Sequence, residues 1–274
     1  MPYPFDVDFS ENDLNFLIES LSPEVEDRGH LRQILRDDED FRNAFVQDER
    51  IVKRIIEDQA VLVKISPRLF FEILLRKAAG DLRRESYTIE KSGAMNIPVF
   101  DAGAVAALLA DEAVLLYMAD MMSSFMRVNS YNFSVRAKGR RWCKFRFNDL
   151  DIQSLKGFCD VVGDAYRLAL YKRIADVCLF VLGFFPDYVE YSTRYPLSGK
   201  PRPVVGATTQ ITPSEYEEEG RKYYKLAAEH ETSREKHLDD LFWSLEENFN
   251  RARKPLTLIA ERYLPRQTRE LFRR

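Results

Sequence analysis

Val177 to Pro186 reads Val-Cys-Leu-Phe-Val-Leu-Gly-Phe-Phe-Pro, ten residues without a charge that close on residues unable to continue a helix. Such a run marks the centre of a core. The chain around it has to supply elements that cover it, and its 274 residues are enough to do so without disulfides or metal. Hydrophobic residues make up 45% and charged residues 31%, a globular composition with a heavily ionic surface.

Helical periodicity dominates. Ser10 begins a cap with acids in the first turn, and Leu14, Leu17, Ile18 and Leu21 follow at helical spacing. Between Gly29 and Asp58, charge clusters separate Leu31, Ile34, Leu35, Phe41, Phe45, Ile51, Ile55 and Ile56, which predicts two or three amphipathic helices. Ser66-Pro67 is a cap followed by proline at the first helical position, predicting a helix from Pro67 to about Arg84. Asn96-Ile97-Pro98 reads as a break, after which Asp101 is expected to cap one long helix through Leu108, Leu115, Met118, Met122 and Met126. The methionines at helical spacing read as core filler.

The rhythm changes at Tyr131. Phe133 and Val135, then Cys143, Phe145 and Phe147, alternate with polar residues around Lys138-Gly139-Arg140, predicting a β-hairpin over residues 131–147. Helices resume near Asp149, with a break near Gly163, and run to Gly183. A long loop from Asp187 to Ile211 carries Pro196, Pro201 and Pro203, and its Tyr188, Tyr191 and Tyr195 are candidates for a partner contact. Thr212-Pro213 repeats the cap-plus-proline device, Thr232 or Ser233 is expected to start a further helix, and Pro255 starts or kinks the last. The fold class is therefore mainly α: an irregular multi-helix bundle with one hairpin, in a single helical domain of residues 1–274 whose composition also allows two lobes divided near residue 128.

Leu179 to Pro186, with Tyr216 and Gly220-Arg221-Lys222-Tyr223-Tyr224 beyond the loop, resembles a family of bacterial, mostly helical proteins with no known activity; Ser66-Pro67-Arg68-Leu69-Phe70-Phe71-Glu72 is similar too. The resemblance implies a bacterial cytoplasmic setting and a helical fold. It carries over no functional residue.

Three cysteines at unpatterned spacing (Cys143, Cys159, Cys178), each among apolar neighbours, read as buried thiols of a reducing compartment, and the expected location is the cytoplasm. The N-terminus lacks the basic start and apolar run of a secretory signal, and charges interrupt the greasy stretches 99–126 and 165–185, so no membrane span is expected. A net charge of −3 predicts no nucleic-acid or membrane partner from the whole chain, but the charge is uneven: residues 1–27 hold eight acids and no Lys or Arg.

Catalytic signatures are lacking. The sequence has no Gly-x-Ser-x-Gly, no phosphate-binding loop, no Gly-x-Gly-x-x-Gly and no Glu-x-x-His. His230, Glu231, Glu235 and His237 are the densest set of potential metal ligands, but a cap at Thr232 or Ser233 would put the two histidines on different helices of a solvated surface. No cofactor or metal is expected. Asp176, four residues after Lys172, reads as the acid of a pair on the helix surface.

The expectation for function is a helical binding, scaffold or regulatory protein acting through protein contacts. An enzyme with an unrecognised site is one alternative. The other is a nucleic-acid-binding module built on the hairpin, where Arg136, Lys138, Arg140, Arg141, Lys144 and Arg146 stand with Trp142 and no acid. A three-residue turn would set Arg136 opposite Trp142.

Overall fold

The structure is a computed structural model that describes residues 9–58, 60–92, 95–126, 130–136, 142–148, 151–186 and 211–265. Helix dominates them, as the periodicity predicts. Two compact units form. The first takes Met1–Ser92, Asn96–Ser123 and Leu258–Pro265, the second Gly93–Met95, Ser124–Thr257 and Arg266–Arg274.

In the first unit, α1 (Glu11–Leu21) opens on a reciprocal cap: the Asp13 N–H donates to Ser10 Oγ and the Ser10 N–H returns to Asp13 Oδ2. The second oxygen of the buried Asp13 carboxylate accepts the Ser66 N–H at 2.6 Å, tying the start of α1 to the start of another helix. Aspartates divide the chain beyond α1. Asp27, Asp38 and Asp48 each accept a backbone N–H at the head of α2 (Arg28–Asp37), α3 (Glu39–Val46) and α4 (Glu49–Glu57), so the charge clusters are caps and the helices number three. After the short α5 (Val61–Lys64), α6 (Pro67–Arg84) has the predicted bounds, with the Ser66 hydroxyl accepting from Leu69 N–H. Leu69, Phe70, Phe71, Ile73, Leu74, Leu75 and Ala78 of α6 are buried and form the unit's core.

Two expectations fail between residues 88 and 124. Asn96-Ile97-Pro98 does not break the chain but lies in β2 (Met95–Val99), which pairs with β1 (Thr88–Ser92) in a two-stranded sheet, so the hairpin near 131–147 does not hold all the strand. A proline is tolerated there because both strands of such a sheet are edges. The long helix from Asp101 is two helices, α7 (Ala102–Leu108) and α8 (Glu112–Ser124), bent by 85°. Asp101 makes no cap; its carboxylate takes the Thr88 hydroxyl. Asp111 accepts the Ala113 N–H, a local bond that competes with continuing the helix. Among the described residues no single helix is long and apolar enough to cross a membrane. Met118, Met121 and Met122 are fully buried core residues.

In the second unit, β3 (Ser130–Arg136) and β4 (Trp142–Asn148) form an antiparallel ladder, with β4 near α9 (Ile152–Cys159). Then α10 (Asp164–Phe184) buries Ile174 to Phe184, so the charge-free run is a core element, as its composition predicts. It packs along α11 (Pro213–Glu229), whose Thr212 and Glu215 form a reciprocal cap. Two glycines allow close approach. A Cβ on Gly220 would stand 2.4 Å from the Phe249 ring and 3.0 Å from Cys178 Cβ, and one on Gly183 would stand 2.7 Å from Leu256 Cβ. Stacked rings of Phe125, Phe180 and Phe184 continue the core, with the Arg173 guanidinium 4.1 Å from the Phe125 ring centre.

The expected helix start at Thr232 or Ser233 moves. His230 is the cap, accepting the Thr232 N–H on Nδ1 at the head of α12 (Glu231–Glu235), and Leu241, Phe242 and Leu245 belong to α13 (Asp239–Glu247). His230 is only 9% exposed, so it is a packed capping residue and not part of a solvated surface. Pro255 lies inside α14 (Phe249–Leu258), and a π-helical turn, Ile259–Tyr263, follows in the first unit.

Candidate functional site

Two features of each unit bear on function, a strand pair and a buried acid. On β1 and its flanks the alternation of a strand buries Thr88, whose hydroxyl donates to Asp101, and turns Ile89 outward at 54% exposure. Ile97 of β2 is 42% exposed, and the rings of Tyr87 and Phe100 meet edge to face at 6.1 Å while remaining 46% and 81% exposed. Tyr87 and Phe100 thus flank the short sheet of the first unit as an exposed ring pair, and Ile89 and Ile97 are exposed on its strands, in a part of the chain whose sequence reads as a break. Met95, Ile97 and Val99 alternate with Asn96 and Pro98, and an alternation over so few residues is a weak signal.

The β3–β4 ladder has the predicted register. Arg136 pairs with Trp142, Ser134 with Lys144 and Asn132 with Arg146, alternating with Val135 and Cys143, Phe133 and Phe145, and Tyr131 and Phe147. Successive residues of a strand belong to opposite faces, so this register sorts the ladder into one apolar, aromatic face and one polar face that holds Arg136, Trp142, Lys144 and Arg146 together. The other candidates of this group, Lys138, Arg140 and Arg141, and the loop tyrosines Tyr188, Tyr191 and Tyr195 lie outside the described residues.

Asp176 is fully buried, which overturns its reading as a surface acid. One oxygen accepts from Lys172 Nζ at 2.8 Å and the other from the Tyr224 hydroxyl at 2.9 Å, across the α10–α11 contact. In the first unit Asp81 repeats the arrangement, with Lys77 Nζ at 2.5 Å and the Tyr263 hydroxyl at 2.6 Å. Burial pushes the Asp81 carboxyl up, but the bonds from Lys77 and Tyr263 outweigh it and hold it below the usual carboxylate range. Burial and the adjacent Asp81 raise the Tyr263 hydroxyl well above its ordinary value, so it stays a donor. One turn earlier on α6, Arg76 bonds Glu72, Glu112 and Asn43.

These groups wall a cleft of about 240 Å³ between α6 and α4, lined by Arg76, Lys77, Asp81, Arg83, Arg84 and Glu49 among others. Its lining carries four cations and two acids, and two further acids pair from outside it. Lys77 is matched by Asp81 and Arg76 by Glu72 and Glu112, leaving the exposed Arg83 and Arg84 with Glu49 opposite.

Nucleophilic and metal chemistry find no arrangement among the described residues. Burial raises the thiols of Cys159 and Cys178 above their usual range, the reverse of activation. No group of three or more His, Cys, Asp or Glu side chains converges there to hold a metal. No family model matches the chain, and no curated protein or solved structure matches it either.

Proposed function

We propose that the protein is a helical binding protein that works through contacts with other proteins. The observation that carries this reading is the exposed Tyr87–Phe100 ring pair flanking a two-stranded sheet whose Ile89 and Ile97 are exposed as well. Burying such a patch in a partner removes apolar area from water, and aromatic side chains are the residues that anchor interfaces. The strand edges add backbone donors and acceptors that a partner chain can pair with. A photo-crosslinking residue placed at Phe100 in the producing cell should capture a defined partner, and the same residue at Tyr166, 72% exposed in the second unit, should not. The Ile89→Asp variant should lose the Phe100 crosslink without losing its thermal transition. Equal capture at Phe100 and Tyr166 refutes the reading.

A second reading, binding of nucleic acid, is favoured by the β3–β4 register, which gathers three cations and an indole on one face. Electrophoretic retention of a mixed DNA and RNA pool at low salt tests it.

A further inference from the structure

Resting on the second of those readings, we infer that the β3–β4 ribbon binds single-stranded nucleic acid and not duplex. Trp142, Lys144 and Arg146 are alternate residues of one strand, and residues two apart on a strand repeat every ~6.7 Å on the same face. An extended single strand presents one phosphate and one base per nucleotide at a comparable stride. Lys144 and Arg146 hold alternate positions of β4, a spacing that suits successive phosphates, and Arg136 holds the register position opposite Trp142 as a third cationic residue. Asn132 and Ser134, paired with Arg146 and Lys144, bring an amide and a hydroxyl to the same face, short groups that hydrogen-bond sugars and base edges.

Trp142 decides between the two forms of nucleic acid. An indole stacks on a base only when that base is out of its own stack, which a single strand offers and a duplex does not. A ribbon that enters a duplex groove reads base edges with Arg, Asn or Gln and has no use for a flat apolar ring at the end of its polar row. The sequence from Ser130 to Asn148 has no acid, so nothing within the ladder opposes a polyanion, while the net charge of −3 gives the rest of the chain no general attraction for one. Affinity then comes from the ribbon, and so does its salt dependence.

The test uses the full chain with fluorescent oligothymidine, oligouridine and a mixed-sequence duplex of equal length, titrated by anisotropy over a salt series. The expected result is binding to the single strands in preference to the duplex, with Trp142→Ala weakening it about tenfold and Trp142→Phe recovering most of the loss. Replacing Arg136, Lys144 and Arg146 together with Ala should lower the slope of log affinity against log salt by about 2, three contacts at roughly 0.7 each. Circular dichroism and melting of each variant separate a lost contact from a lost fold. Preference for the duplex overturns the inference and leaves the nucleic-acid reading standing. Absence of binding to all three probes removes both, and unchanged binding by the triple variant moves the site off the ribbon.

Discussion

Lys77, Asp81 and Tyr263 in one unit and Lys172, Asp176 and Tyr224 in the other are the same device: an acid held by the lysine one turn before it and by a tyrosine hydroxyl from a distant segment. The copies differ in surroundings. Asp176 is fully buried in the contact of two long helices, whereas the Asp81 side chain keeps 11% of its surface and borders a polar cleft. An ion pair on an open helix face is worth a few tenths of a kcal/mol, so what the device contributes depends on how completely water is excluded from it. The tyrosine matters as much as the lysine, since it satisfies the second oxygen and fastens the far segment.

The largest expected effect is that of Asp176→Ala, which removes a fully buried carboxylate and its bonds from Lys172 and Tyr224 and should cost about 3 kcal/mol in denaturant unfolding. Asp81→Ala should cost about 1 kcal/mol because solvent reaches the groups it leaves. Equal losses would mean that burial does not set the difference. The hydroxyls come next: Tyr224→Phe should cost about 2 kcal/mol and Tyr263→Phe about 1 kcal/mol, each removing one bond to a charged acceptor. A reversed order in thermal melts would break the comparison. Gly220→Ala bears on the buried copy alone, because the added Cβ meets the Phe249 ring at 2.4 Å; an overpacking cost of about 2 kcal/mol is expected from its urea midpoint. The smallest effect is in pH. The folded Asp81 titrates below its unfolded value of 3.8, so its contribution is present above that pH and is lost as pH falls through the lower folded value. Asp81→Asn should flatten the acid limb of the stability profile in that window, with the neutral plateau lowered.

Legibility in the sequence follows the range of the forces involved. Ser66-Pro67 and Thr212-Pro213 name their helix starts because a cap is a contact between neighbours, and both fall where predicted. The register of Arg136 against Trp142 is readable because pleat alternation and turn length fix it locally. Asp111 reads as the interior of a helix, since an aspartate three residues from an apolar stripe signals a cap only if the chain turns there. β1 and β2 escape a sequence reading because Pro98 outweighs two isoleucines until one knows that the strand is an edge. Nothing near Asp176 announces Tyr224, 48 residues on, and nothing near Asp81 announces Tyr263. The spacing of lysine and acid is visible in both, but burial is a property of the assembled unit. The exposure of Ile97 is likewise a property of the assembled unit.

The bond from Ser66 N–H to Asp13 closes a loop of 53 residues. Seen as a polymer, the segment between them is a tethered ring whose closure entropy grows only with the logarithm of its length, about 0.6 kcal/mol for each doubling. Extra residues inserted beside the exposed Ala60 would therefore add little to the cost of closure, whereas Asp13→Ala opens the ring and removes the bonds its carboxylate accepts from Ser10 and Ser66. Length at that one point is nearly free to vary, and the position of one carboxylate is not.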